Sequence, residues 1–124
     1  MSVSNIPRSI LVVDDDPVIR DMMVDILSFE EYPVAVARNG REALEKLRGK
    51  ESYLVFLDLM MPVMDGREFC KHFSADASLR NRHKIVIMSA MDKMSEAASL
   101  PTHAMLPKPF SVDDVIRIMQ PLMG

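Results

Sequence analysis

The chain has 124 residues, 48% hydrophobic and 27% charged, with a formal net charge of −3. This length predicts one domain over residues 1–124 whose core is large enough to be stable without cross-links. The single Cys70 excludes an internal disulfide. The small negative charge gives no basic surface for nucleic acid or an anionic membrane. Apolar runs fall well short of the ~20 residues that span a bilayer, and no secretory signal is visible, so we expect a cytoplasmic protein.

Short apolar runs alternate with helical patterns along the chain. Five runs predict strands, at residues 10–13, 34–37, 53–57, 84–88 and 104–106. The third run, YLVFL, is apolar at every position, as in a parallel strand that is covered on both faces.

Helical spacing and capping residues occupy the segments between these runs. Asp16 and Pro17 suit the N-cap and first position of the first helix. Ser111 and Asp114 form a capping-box pattern ahead of the last helix. Further helices are predicted at residues 41–48, 66–73 and 92–99. This alternation predicts a doubly wound, five-stranded parallel sheet with helices on both faces.

Polar side chains stand at the ends of four predicted strands, where open α/β sheets bind their ligands. They are Asp14, Asp15 and Asp16, then Asp58, Ser89 and Lys108. Carboxylates this close repel each other, so either the pKa of one rises or a cation lies between them. Carboxylate oxygens are ligands that Mg²⁺ prefers, and a carboxylate beside Mg²⁺ can attack phosphorus. The sequence therefore predicts a Mg²⁺ site suited to phosphoryl chemistry.

Four motifs occur in order at these strand ends: VVDDDP, LDLMMPVMDG, MSA and KPF. Together they resemble the receiver domains of two-component response regulators, over nearly the whole chain. The resemblance implies a flavodoxin-like (βα)₅ fold. It also implies that a sensor histidine kinase or a histidine phosphotransfer protein donates a phosphoryl group, which switches partner binding. Such a domain is not an enzyme for a separate substrate, because it catalyses only its own phosphorylation and dephosphorylation.

The resemblance assigns roles to the acidic residues. Asp58 would accept the phosphoryl group. Asp15, Asp58 and the backbone carbonyl of Met60 would bind Mg²⁺. Asp14 would complete the acid pair, mostly without direct contact to the metal, and Asp16 is interpreted as a helix cap.

In the second half of the chain, the resemblance implies that Ser89 hydrogen-bonds the phosphoryl group. It also implies that Lys108, which precedes a cis bond to Pro109, pairs with the phosphoryl group.

The same half of the chain departs from the family pattern at other positions. The second switch residue, usually aromatic, is Met105. The segment between Ser89 and Lys108 is short and carries Pro101 where a glycine is usual, so we expect a short or irregular fourth helix. The output face, formed by the fourth helix, fifth strand and fifth helix, would change with it, including any dimer that phosphorylation induces there.

Methionines occupy several positions that bear on signalling. Met60 and Met91 stand where the family controls attack by water, and their bulk predicts slow loss of the phosphoryl group. Five methionines are expected either to fill the core or to form an adaptable docking surface near the output face: Met91, Met94, Met105, Met119 and Met123.

The remaining candidates have simple interpretations. His72, His83 and His103 lack metal-ligand spacing and are predicted to lie on the surface. Cys70 is predicted to pack within a helix.

Two alternative functions remain open at this stage. The first is a Mg²⁺-dependent phosphatase that resembles the haloacid-dehalogenase-like group, since Asp14 and Asp16 mimic its first motif. The chain leaves no room for a substrate cap, which argues against this function. The second is a degenerate receiver that binds partners without phosphorylation, and the complete set of polar residues argues against it.

Overall fold

The computed structural model describes residues 6–123 as a five-stranded parallel sheet in the order β2-β1-β3-β4-β5. The strands are β1 (Ser9–Val13), β2 (Val34–Ala37), β3 (Tyr53–Asp58), β4 (Lys84–Ala90) and β5 (Ala104–Lys108). The helices are α1 (Pro17–Ser28), α2 (Gly40–Leu47), α3 (Gly66–Ala75), α4 (Ala77–Arg82), α5 (Met94–Ala98) and α6 (Val112–Met123). The predicted parallel sheet is confirmed, and within the described residues no helix is long and apolar enough to cross a membrane.

Two apolar cores cover the two faces of the sheet. Successive side chains of a strand point to opposite faces. In β3, Val55 and Leu57 therefore join the core under α2, α3, α4 and α5, whereas Leu54 and Phe56 join the core under α1 and α6. These four residues are fully buried, which explains why YLVFL is apolar throughout.

The segment between Ser89 and Lys108 is irregular, as predicted. A 3₁₀ turn (Met91–Lys93) leads into α5, which has only five residues. β4 and β5 run further than the sequence indicated, so Ser89 and Lys108 lie within the strands. The peptide bond between Lys108 and Pro109 is cis, as predicted.

One helix was not predicted. α4 has six residues, of which Leu79 alone is buried, so its sequence carries almost no apolar periodicity. Asp76 caps this helix by accepting a hydrogen bond from the backbone N–H of Ser78 at 3.0 Å. The two capping predictions made from the sequence are confirmed: Asp16 accepts from the N–H of Val18 at 2.9 Å, and Ser111 and Asp114 bond each other reciprocally.

One prediction about a single residue needs correction. His72 and His103 are exposed as expected, but His83 is buried with a relative exposure of 1%, so its placement on the surface was wrong. Of the two expectations for the methionines, core filling is confirmed for Met119 and Met123, which lie in the core under α6, and Met105 packs against the opposite core. Met91 is exposed.

Candidate functional site

Three carboxylates converge at the carboxyl end of the sheet because β1 and β3 are parallel neighbours in register. Val13 pairs with Leu57, so the residues that follow, Asp14 and Asp58, stand side by side. Carboxylate oxygens of Asp14, Asp15 and Asp58 lie within 4.8 Å of one another. Asp14 and Asp58 are buried and Asp15 is exposed, so the cluster opens to solvent on one side.

Lys108 supplies the positive charge nearest to these acids. From the end of β5, its Nζ reaches Asp14 Oδ2 at 3.1 Å and Asp58 Oδ1 at 3.3 Å. Burial lowers the pKa of Lys108, but the charges of Asp58 and Asp14 outweigh burial and leave this pKa above its ordinary value. Lys108 therefore stays protonated between the two carboxylates.

One lysine does not balance the acids. Burial and the neighbouring charge of Asp14 raise the pKa of Asp58 to about 6, although Lys108 and the backbone N–H of Met60 act in the opposite direction. A further cation at the cluster would lower this pKa and keep Asp58 as the carboxylate, the form that can act as a nucleophile.

Ser89 lies on the strand next to Asp58. Asp58 pairs with Met88 across β3 and β4, so Ser89 is one residue past the strand neighbour of Asp58. Ser89 is buried, and its Oγ has no hydrogen-bond partner within residues 6–123. Buried hydroxyls are nearly always paired, so an unpaired one beside a charged cluster indicates a place for a ligand.

The loop between β1 and α1 is fixed by Asp14 itself. Asp14 Oδ1 accepts a hydrogen bond from the N–H of Asp16 at 3.0 Å. Its backbone carbonyl accepts one from Arg20 Nη1 at 2.8 Å. Arg20 was not identified from the sequence, because its position on α1 gave no signal beyond an ordinary charged helix residue. Asp15, between Asp14 and Asp16 in this loop, is exposed to solvent.

The loop between β3 and α3 packs tightly around the end of β3. The N–H of Leu59 donates to the carbonyl of Met88 at 3.1 Å, and that of Gly66 donates to the carbonyl of Leu59 at 2.8 Å. A Cβ at Gly66 would lie 2.9 Å from the Cα of Leu59, so only glycine permits this approach. Val63 has a φ of 69°, a strained conformation for a β-branched residue. Met60, between these fixed points, is 54% exposed.

A family model for the response regulator receiver domain matches residues 10–120. The chain belongs to the response regulator receiver family. The match supports a phosphoacceptor role in two-component signalling. Receivers are not classical enzymes.

Relatives of known sequence and structure agree with this assignment. Response regulator MprA of Mycolicibacterium vanbaalenii is 38% identical over 120 residues, which cover 94% of this chain and 51% of that protein. This receiver thus spans about half the length of the curated relatives that it matches.

Solved receivers share its fold. The response regulator TrrA of Thermotoga maritima, solved in complex with Mg²⁺ and BeF, is 30% identical with a TM-score of 0.80, over 93% of this chain and 98% of that one. The chemotaxis response regulator CheY4 of Vibrio cholerae is 29% identical with a TM-score of 0.81, over 94% and 98% of the two chains.

The structure brings most of the predicted site residues together. The two buried acids, Asp15 and Lys108 share one cluster, and Ser89 stands on the adjoining strand. Met105 on β5 pairs with Ile87 on β4, two residues before Pro107, which pairs with Ser89. The side chain of Met105 is half-buried on the side of α5. Met105 therefore lies on β5, one of the elements of the expected output face.

Proposed function

We propose that Asp58 accepts a phosphoryl group from a sensor histidine kinase or a histidine phosphotransfer protein in a Mg²⁺-dependent reaction. Phosphorylation then changes the binding of a downstream protein. The observation that carries the proposal is the buried carboxylate of Asp58, which lies within 4.8 Å of two other carboxylates and 3.3 Å from the Lys108 ammonium. Residues 1–124 would form one receiver domain that catalyses its own phosphorylation and dephosphorylation.

The proposed step forms one bond and breaks one. A carboxylate oxygen of Asp58 attacks phosphorus, and the bond from phosphorus to the donor imidazole nitrogen breaks. Lys108 would shift from Asp58 Oδ1 to a phosphoryl oxygen, and the unpaired hydroxyl of Ser89 would donate a hydrogen bond to another. Both residues would therefore stabilise the negative charge of the phosphoryl oxygens, which the Asp58 carboxylate does not carry before the reaction.

The residues present fit Mg²⁺. The ion prefers carboxylate and carbonyl oxygens with several waters, and the cluster combines buried acids with the solvent-facing Asp15. Asp15, Asp58 and the backbone carbonyl of Met60 would hold the ion, with Asp14 acting indirectly through Lys108. Bound there, Mg²⁺ would neutralise phosphoryl oxygens. The raised pKa of Asp58 supports a site that needs this charge.

The output surface would be formed by α5, β5 and α6. We infer a protein partner for this surface and no nucleic acid, since the chain carries a net charge of −3. The cytoplasm is the compartment where we expect a kinase to reach the receiver. Light scattering before and after phosphorylation would test whether the same face binds a second copy.

The test is a time course of intact mass with acetyl phosphate. We expect one phosphoryl-sized increase that requires Mg²⁺ and is absent in Asp58→Asn. Asp16→Asn is the matched control, because it also removes one acid but asparagine still caps α1. Steady release of inorganic phosphate without an adduct would indicate rapid self-hydrolysis. Neither adduct nor release, with Mg²⁺ present, would contradict the proposal and favour a degenerate receiver.

A further inference from the structure

The segment that follows Ser89 is held by few buried side chains. Within the described chain, the 3₁₀ turn after β4 has no buried residue, and in α5 only Ala97 is buried. Ser89 directly precedes this segment, so a movement of Ser89 would be passed to α5. Contacts other than apolar packing therefore matter for the position of α5.

Arg67 provides such a contact from the first turn of α3. Its Nε pairs with the carboxylate of Glu96 on α5. Its Nη1 lies 2.9 Å from Asp65 Oδ2, and its Nη2 lies 3.7 Å from the sulfur of Met60. One guanidinium thus joins α5 to the loop that follows the proposed phosphoacceptor.

The α3 side of this contact is the fixed side. Asp65 caps α3 by accepting from the N–H of Glu68 at 3.0 Å, and Gly66 is packed against the backbone of Leu59. Arg67 is therefore positioned by a rigid helix start, whereas Glu96 lies on the sparsely packed helix. Breaking the pair would release α5 and leave α3 in place.

We propose that the Arg67–Glu96 ion pair is a tether that holds α5 in the unphosphorylated arrangement and favours that state over the phosphorylated one. The inference rests on the proposed phosphorylation of Asp58. A phosphoryl group there offers the unpaired Ser89 hydroxyl an acceptor, and drawing Ser89 towards it moves the turn and α5 away from Arg67.

The Arg67–Glu96 ion pair is weak, which suits a contact that shifts the balance between the two states without locking either one. Arg67 and Glu96 have side-chain exposures of 38% and 34%, so solvent weakens their attraction. The hydrogen bond from Arg67 holds the pKa of Glu96 below its ordinary value, so the pair is charged at neutral pH. A contact that differs between two states shifts their populations by its differential free energy.

The test compares Arg67→Gln and Glu96→Gln with the unmodified protein. Beryllium fluoride with Mg²⁺ serves as the phosphoryl mimic, and ¹³C-methyl spectra of the methionines report the position of α5 through Met94. We expect both variants to bind the mimic roughly two- to fivefold more tightly and to be phosphorylated by acetyl phosphate faster by a similar factor. Without the mimic, their Met94 signals should already be shifted towards the bound position.

Lys71→Gln is the matched control. It removes one positive charge from the same helix, one turn further on, and no ion pair of Lys71 is found within the described residues. It should match the unmodified protein. The exchanged variant Arg67→Glu with Glu96→Arg should move the affinity back towards normal without restoring it fully, because the change at position 67 also removes the ion pair with Asp65. The two single changes should not add up in the double Gln variant.

The outcomes separate the tether from the proposed function. If the unmodified protein neither binds the mimic nor becomes phosphorylated, the function fails and the tether fails with it. If the unmodified protein responds and the two variants respond equally or more weakly, the tether alone is overturned. Thermal melts of all variants check that each remains folded.

Discussion

The two ends of the sheet treat polar groups in opposite ways. At the amino end, His83 Nδ1 accepts the N–H of Tyr53 at 3.0 Å, and its Nε2 lies 2.8 Å from the carbonyl of Leu47. His103 repeats the arrangement one strand further, since its Nδ1 accepts the N–H of Ile85 at 3.0 Å. Each imidazole replaces a partner that the first residues of a strand would otherwise lack.

At the carboxyl end, charge is crowded and incompletely paired. Asp14 and Asp58 share the single ammonium of Lys108, the pKa of Asp58 is raised to about 6, and the Ser89 hydroxyl has no partner among the described residues. An arrangement of this kind costs stability, and it persists where a ligand completes it.

The comparison separates stability from function. Polar groups whose bonds are all made within the chain stabilise the fold, so changing them should lower the free energy of unfolding. Other polar groups would be completed only by a cation and a phosphoryl group. Changing them should affect the rate of phosphorylation far more than the free energy of unfolding. Each prediction below tests one side of this division.

Lys108→Met should have the largest effect. It leaves Asp14 and Asp58 without their cation and removes the charge that would neutralise a phosphoryl oxygen, so we expect phosphorylation by acetyl phosphate to slow about 100-fold or more. Lys84→Met, at the amino end, is the control, because among residues 6–123 Lys84 Nζ donates only to the carbonyl of Leu122. A rate within threefold of normal for Lys108→Met would contradict the proposed role.

His83→Phe should lower the free energy of unfolding by about 1–3 kcal/mol at pH 7.5, since the N–H of Tyr53 loses its acceptor inside the protein. Urea titrations measure this loss. His72→Phe, at an exposed site, should cost little. Equal losses for the two variants would show that the imidazole of His83 is not needed at the amino end.

The same variant predicts a pH dependence. Burial lowers the pKa of His83, and the charge of Arg82 adds to this, against the opposing bond to Leu47. The stability gained from the neutral ring is therefore complete above the unfolded pKa of about 6.5 and is lost as pH falls through the lower folded-state pKa. The difference between the unmodified protein and His83→Phe should shrink from pH 7.5 to 5.5. A constant difference would contradict a neutral, buried imidazole.

Ser89→Ala should separate folding from switching. Because the hydroxyl is buried without a partner among the described residues, its removal should leave the free energy of unfolding unchanged or raise it by about 1 kcal/mol. The affinity for beryllium fluoride with Mg²⁺ should fall about tenfold, the value of one hydrogen bond to a charged group. Ser89→Thr keeps the hydroxyl and should bind nearly normally. A clear loss of stability in the alanine variant would mean that Ser89 has a structural partner.

Met60→Asn should give the smallest effect. The exposed thioether of Met60 cannot orient water, whereas an amide can hydrogen-bond an attacking molecule, so the phosphoryl half-life should shorten about threefold. Val112→Asn is the control, since Val112 is 55% exposed and Met60 54%. If the phosphoryl half-life of the unmodified protein is no longer than that of Met60→Asn, the prediction of slow hydrolysis is wrong.

The sequence predicted those parts of the molecule that short patterns determine. The run YLVFL identified the central strand, and the ordered motifs identified Asp14, Asp15, Asp58 and Lys108 before any contact was known. The short and irregular α5 was also predicted, from the shortened segment before Lys108.

Long-range pairing could not be predicted in the same way. The burial of His83 depends on Leu47, 36 positions away, and the contact of Arg67 depends on Glu96, 29 positions away. Neither pair has a local spacing that signals it. The helix α4 was not predicted because a six-residue helix with one buried side chain has no apolar periodicity to detect.

The most direct test of the account is to locate the phosphoryl group. After reaction with acetyl phosphate and Mg²⁺, borohydride reduces an aspartyl phosphate to homoserine, and peptide mass spectrometry identifies the residue. The account predicts homoserine at position 58 and unmodified aspartate at positions 14 and 15. Homoserine at either of those two positions, or at none, would contradict the claim that the carboxyl end of the sheet presents Asp58 as its phosphoacceptor.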